Sequence, residues 1–180
     1  MARLPQISRD DLPSEGHSAW DSIVRSRGAV GGPFQVLMRV PPLAERVADV
    51  GTYLRFQGGL IPVERELAIL TVARYVGSRF EWVAHRAVAE REGARTDAIE
   101  AIRTLGDVAS LTERERLIVH TVRAILRDHT LDERDYGAAI AGFGEAGLVE
   151  MVGLIGFYVQ IGLTLTVFQV EPPMDGPPPF

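Results

Sequence analysis

The stretch Glu64–Gly93, ERELAILTVARYVGSRFEWVAHRAVAEREG, decides how the chain is read. Pro62 precedes it at an early helical position, and Glu64 and Glu66 suit the positive end of a helix. That helix is expected to run through Leu67, Leu70, Ala73 and Tyr75 and to stop at Gly77. Ser78 then caps a second helix that ends at Gly93. On this second helix Glu81 and His85 stand i, i+4, and Trp82 and His85 stand i, i+3, so all three share a face. A carboxylate facing an imidazole is the smallest unit for proton transfer, because it fixes the tautomer and raises the basicity of the ring. Trp82 would add an apolar wall. The same spacing also describes an exposed pair on a solvated face, worth about 0.3–0.5 kcal/mol.

Outward from this stretch the pattern stays helical. Leu43, Val47, Val50 and Leu54 form an amphipathic stripe after Pro41-Pro42, closed by Gly58-Gly59. Thr96 opens a short helix with Ile99 and Ile102. Thr112 and Glu115 have capping-box spacing ahead of Leu117, Ile118, Val122 and Ile125. Asp132 starts a further helix through Ile140, with Gly144 and Gly147 separating it from a last, apolar one. No alternating run is bounded by hairpin turns, so the expected fold is all-α, a compact multi-helix bundle.

The run from Met151 to Phe168 has 18 residues without a charge, the lower length for a membrane span. Glu150 and Glu171 bracket it, and no arginine follows Arg134, so the usual cationic anchors are missing. It reads as a core or interface helix. The expected division is an N-terminal segment with a short helix at 1–31, a helical domain at 32–170 and a proline-rich tail at 171–180. The tail, with five prolines in its last nine residues, reads as disordered or extended, or else as a strap anchored by Phe180 on a neighbouring subunit.

Composition excludes whole classes of chemistry. The chain of 180 residues has no cysteine, no lysine and no asparagine, and all 19 of its basic residues are arginine. Thiol nucleophiles, disulfides, zinc ribbons, Schiff-base lysines and P-loops are therefore out. A net charge of −5 opposes a dedicated nucleic-acid surface. The start of the chain has no apolar segment of the secretory kind, so a cytoplasmic protein is expected. Among the remaining histidines, His17 and His129 sit in polar surroundings, while His120, within the Ile118–Val122 stripe, reads as a core or interface residue.

The central stretch resembles the core motif of the carboxymuconolactone decarboxylase and alkylhydroperoxidase D-like superfamily. Arg65-Glu66 with Leu70 matches its first element, and His85, Ala89 and Gly93 match its H-x-x-x-A-x-x-x-G pattern. The flanks Gly32–Val47 and Leu148–Gly162 are loosely similar to family sequence as well. In the peroxidase branch a glutamate, a C-x-x-C pair and a histidine form a thiol relay. Glu66 and His85 match the glutamate and histidine, but the cysteine positions fall on Ser78 and Glu81. A thiol peroxidase is therefore excluded, since the thiolate is what attacks the peroxide. The resemblance favours the decarboxylase branch, which also lacks the cysteine pair.

The resulting expectation is a cofactor-independent acid–base enzyme, a lyase or isomerase acting on a small carboxylate or lactone. His85 would be the general acid/base, Glu81 its orienting partner, and Glu66 a second relay group. The nearness of two carboxylates would push one pKa upward. Trp82, Arg74, Arg86 and Tyr158 are the candidate substrate-binding residues, an arginine being the natural grip for a carboxylate. The resemblance implies no cofactor and no metal, and a homotrimer or hexamer. Nucleic acid and membrane are not expected partners. The alternatives are a non-catalytic ligand-binding or scaffold protein and, behind it, a metal enzyme using Glu66, Glu81 and His85 as ligands.

Overall fold

The computed structural model of the chain describes residues 2–173 and 177–180. Eight α-helices account for its architecture among these residues: α1 (Ser14–Arg27), α2 (Pro33–Leu37), α3 (Pro41–Phe56), α4 (Pro62–Tyr75), α5 (Arg79–Arg91), α6 (Thr96–Arg103), α7 (Glu113–Asp128) and α8 (Glu133–Val167). No strand occurs among the described residues.

The helix signals in the sequence act as written. Proline occupies the first turn of α2, α3 and α4, where its missing N–H costs nothing. Ser78 accepts from the Glu81 N–H at the start of α5. Thr112 and Glu115 close a reciprocal capping box on α7.

Burial explains which helix lies at the centre. Every residue of α4 from Glu66 to Ala73 is buried, and a helix covered on all sides needs no amphipathic stripe. It packs against α5, α6, α7 and α8, whereas α1 and α2 pack on α3, and α2 and α3 reach α8. The molecule thus has two sides that meet along α8.

The expected break between the last two helices falls at Gly144, whose φ of 71° and ψ of 172° are not helical and kink α8 there; Gly147 lies within its second part. Two features differ from the sequence reading. His120 is solvent-facing, its side chain 53% exposed, with Nε2 2.7 Å from Asp135 Oδ2 at the start of α8. The second difference is the tail. Residues 174–176 fall outside the described residues, but Phe180 folds back onto its own chain. Its ring meets Trp82 edge-on with centroids 5.4 Å apart, and the Arg74 guanidinium lies 4.6 Å from the ring centroid. The Pro179 carbonyl accepts from Arg103 at 3.0 Å. A proline-rich segment loses little entropy on docking, so one terminal aromatic suffices to hold it.

Candidate active site

Glu66 is 1% exposed on the central helix, where a bare carboxylate would be costly. It is satisfied by His85 of α5, whose Nδ1 lies 2.6 Å from Glu66 Oε2. Arg65 adds a longer contact of 3.4 Å to Oε1. On the other side of the ring, Nε2 lies 3.2 Å from Glu81 Oε2, across one turn of α5. The imidazole is therefore bracketed by two carboxylates. Tyr158 of α8 closes the group, its ring perpendicular to that of His85 with centroids 5.0 Å apart. Phe157 meets Tyr158 edge-on in turn.

The electrostatics follow from this order. Burial is the largest influence on His85 and pushes its pKa down, but Glu66 and Glu81 together outweigh it and hold it above the ordinary histidine value. Burial likewise pushes Glu66 up, and His85, Arg65 and Arg55 outweigh it, leaving the carboxyl below its ordinary value. Burial also raises the Tyr158 phenol strongly, with Glu81 next. The upward push expected from two neighbouring carboxylates is thus not found at Glu66. The imidazole stands between the two, and both favour its protonated form.

His85 and Glu81 open onto a cavity of about 350 Å³ at the meeting of the two sides, which Tyr158, Phe157, Arg27 and Arg55 also line. This is the volume of an ordinary small-molecule site. Glu66 does not line it and lies behind the ring. Among the described residues no group of three His, Asp or Glu side chains is arranged to hold a metal ion.

Three of the candidate substrate-binding residues lie elsewhere. Trp82 is fully buried, away from the cavity and under Phe180. Arg74 donates to the Arg103 carbonyl at 2.6 Å, and Arg86 is exposed and paired with Glu90 at 2.9 Å. Trp82 and His85, i, i+3 on α5, stand about 60° apart around the helix, and that offset lets Trp82 pack under Phe180 while His85 reaches the cavity. The arginines that do line the cavity, Arg27 and Arg55, come from the ends of α1 and α3. Nothing local in the sequence separates them from 17 others.

Comparison with known proteins bears on the fold. Residues 41–124 match the model of the Carboxymuconolactone decarboxylase family. No curated protein matches the sequence. Among solved structures, an uncharacterized peroxidase-related protein with an alkylhydroperoxidase AhpD core, from Ralstonia eutropha JMP134, superposes with a TM-score of 0.77 at 18% identity, over 95% of this chain and 92% of that one. A second uncharacterized peroxidase-related protein, from Silicibacter sp. TM1040, gives 0.73 at 17% identity over 95% and 91%. The debrominase Bmp8, in a Cys-to-Ala variant bound to 2,3,4-tribromopyrrole, gives 0.68 at 15% identity over 94% and 92%. At such identities these structures speak for the fold alone. Residues 41–124 are thus similar to the Carboxymuconolactone decarboxylase family, and the fold is similar to that of a structure with an alkylhydroperoxidase AhpD core. This chain has no cysteine.

Proposed function

We propose that the protein is a cofactor-independent acid–base enzyme, a decarboxylating lyase or an isomerase, acting on a small carboxylate or lactone. The observation that carries this reading is His85, buried between Glu66 and Glu81 at the wall of a ligand-sized cavity. An imidazole whose pKa is held above the ordinary histidine value is a ready general acid. The cavity contact redistributes the roles of the two glutamates. Glu66, behind the ring, orients it and supports its charge. Glu81, on the wall, is placed to take a proton from a bound acid and exchange it with Nε2. In a decarboxylation, the carbanion left by departing CO2 would take its proton from His85, and solvent would restore that proton through Glu81. In an isomerisation, Glu81 would take the proton and His85 would return one at the new position.

Peroxide reduction through a thiol is impossible in a chain without cysteine, whatever the names of its structural neighbours. The test is solvent-deuterium uptake or CO2 loss across a panel of small enolisable acids and lactones, read by mass spectrometry. His85→Gln is expected to lose the activity while folding normally. Uptake that persists in the variant would refute the assignment, and silence across a broad panel would favour a binding protein on the same scaffold.

The same reading makes the protein a cytoplasmic homo-oligomer, a trimer or hexamer. Only 44% of the most apolar window of α8 is buried within the chain, and Val149, Val152, Leu163 and Val167 remain exposed. Helix α8 is long and apolar enough to cross a membrane by length and composition. Its inner face nevertheless packs on α4 and α5, which favours a second copy as the cover for its outer face. A monomer by light scattering at micromolar concentration would overturn this part.

A further inference from the structure

The cavity that receives His85 and Glu81 also receives two guanidinium groups. Among the described residues, neither Arg27 nor Arg55 forms an ion pair, and both line the wall. Arg27 is held rigidly. Its Nη2 donates to the Ala48 carbonyl at 2.9 Å and its Nη1 to Thr52 Oγ1 at 3.2 Å, and its guanidinium lies 4.7 Å from the centroid of the Phe34 ring. Ala48 and Thr52 are i, i+4 on α3, and Arg55 follows Thr52 at i+3, so both cationic heads lie along one stripe of that helix. Burial, and then the charge of Arg55, pushes Arg27 below its ordinary value. A cation that has lost water and faces a second cation is a poor structural element and a good anion receptor.

Gly51 is why this arrangement fits. A Cβ there would stand 2.6 Å from Phe157 Cζ and 3.0 Å from Arg27 Nη2, so any larger residue would displace the apolar wall and the arginine together. The rest of that wall is Phe34, Phe80, Phe157 and Ile161. Against the two guanidiniums the cavity lining sets a single acidic side chain, Glu81.

We infer that Arg27 and Arg55 form an anion site within the cavity, and that its ligand is a cyclic monocarboxylate with an apolar ring. The carboxylate meets the two guanidiniums, and the ring lies on the aromatic wall with its reacting carbon turned to Glu81 and His85. A second carboxylate would face the apolar wall or Glu81, so a dianion is rejected. This rests on the acid–base reading of the same cavity, from which it takes the direction of the ligand.

The test is isothermal titration calorimetry on the full chain with benzoate, with benzamide as its neutral analogue, and with phthalate as its dianion. Benzoate is expected to bind about tenfold or more tightly than either. Arg55→Gln is expected to erase that preference. Because Arg55 holds no backbone carbonyl among the described residues, this variant should keep its helical circular dichroism. Arg27→Gln is expected to do the same, and should it fail to fold, the Arg55 result decides alone. Equal affinities for benzoate and benzamide, tighter binding of phthalate, no heat with any of the three, or a preference unchanged in Arg55→Gln would each overturn the inference. The two readings fail differently. Arg55-dependent binding without His85-dependent deuterium exchange would sink the enzyme, whereas exchange on acids that ignore Arg55 would sink the anion site.

Discussion

Glu64 and Glu66 stand two positions apart on α4, are both buried, and lead to opposite kinds of site. Two positions on a helix are about 200° of rotation, so the carboxylates leave α4 on opposite faces. Glu64 meets Arg114 of α7 in a fork, with both nitrogen–oxygen distances 2.6 Å. Arg114 also donates to the Gly142 carbonyl at 2.6 Å and covers the Phe143 ring, so this pair fastens α8 just before its break. Glu66 meets a histidine instead. A guanidinium does not give up its proton, and the first pair can only hold; an imidazole does, and the second pair can act. The difference between clamp and reactive site therefore lies in the partner, not in the buried carboxylate.

The largest effect expected from this contrast is on catalysis. His85→Gln should lower turnover by about 10²–10⁴-fold, the range for loss of a positioned acid or base, while Arg114→Ala should leave turnover nearly unchanged. Steady-state rates of the two variants, on any substrate that supports deuterium exchange, would break the comparison if they fell together.

A second effect is on pH. His85 has a raised pKa in the folded chain, so its contribution to stability is complete below its unfolded value of about 6.5 and is lost as pH rises through the folded value. Glu66 has a lowered pKa, so its contribution is present above about 4.5 and is lost as pH falls through the folded value. Chemical denaturation across pH should show wild-type stability declining as pH rises through the folded His85 value and Glu66→Gln declining less. The alkaline limb of activity, set by loss of the His85 proton, should move to lower pH in Glu66→Gln. Arg114→Ala should leave that limb in place.

Smaller effects concern the clamp and the tail. With Arg114 partly exposed, its removal should cost about 1–2 kcal/mol, a fall in Tm of about 2–8 °C for a chain of this size. Deleting Phe180 should cost about 1 kcal/mol or less and shift Trp82 emission to the red, because the ring that covers the indole is gone. A wild-type emission spectrum in the deletion would show that the tail does not dock.

Much of the fold was legible because helices are specified locally. The proline starts at 41 and 62, the Thr112–Glu115 box and the Asp132 cap need only neighbouring residues. The i, i+4 spacing of Glu81 and His85 was visible for the same reason. What could not be read was which buried helix faces which. The approach of Glu66 to His85 is fixed by how α4 and α5 pack, and the use of Arg27 and Arg55 rather than Arg74 and Arg86 is fixed by where α1 and α3 end. Phe180 is similar: its docking depends on Trp82 and Arg74, about a hundred residues earlier in the chain. His120 misled because an apolar stripe has edges, and a histidine beside valine can still face water.

The central claim is that Glu66 keeps His85 charged beside the cavity, and NMR titration of the His85 ring tests it most directly. The account predicts a midpoint above the ordinary value of 6.5 in the wild type and a clear fall in Glu66→Gln, where burial acts on the ring with Glu81 alone to oppose it. A midpoint at or below that value, or one that ignores Glu66, would contradict the account.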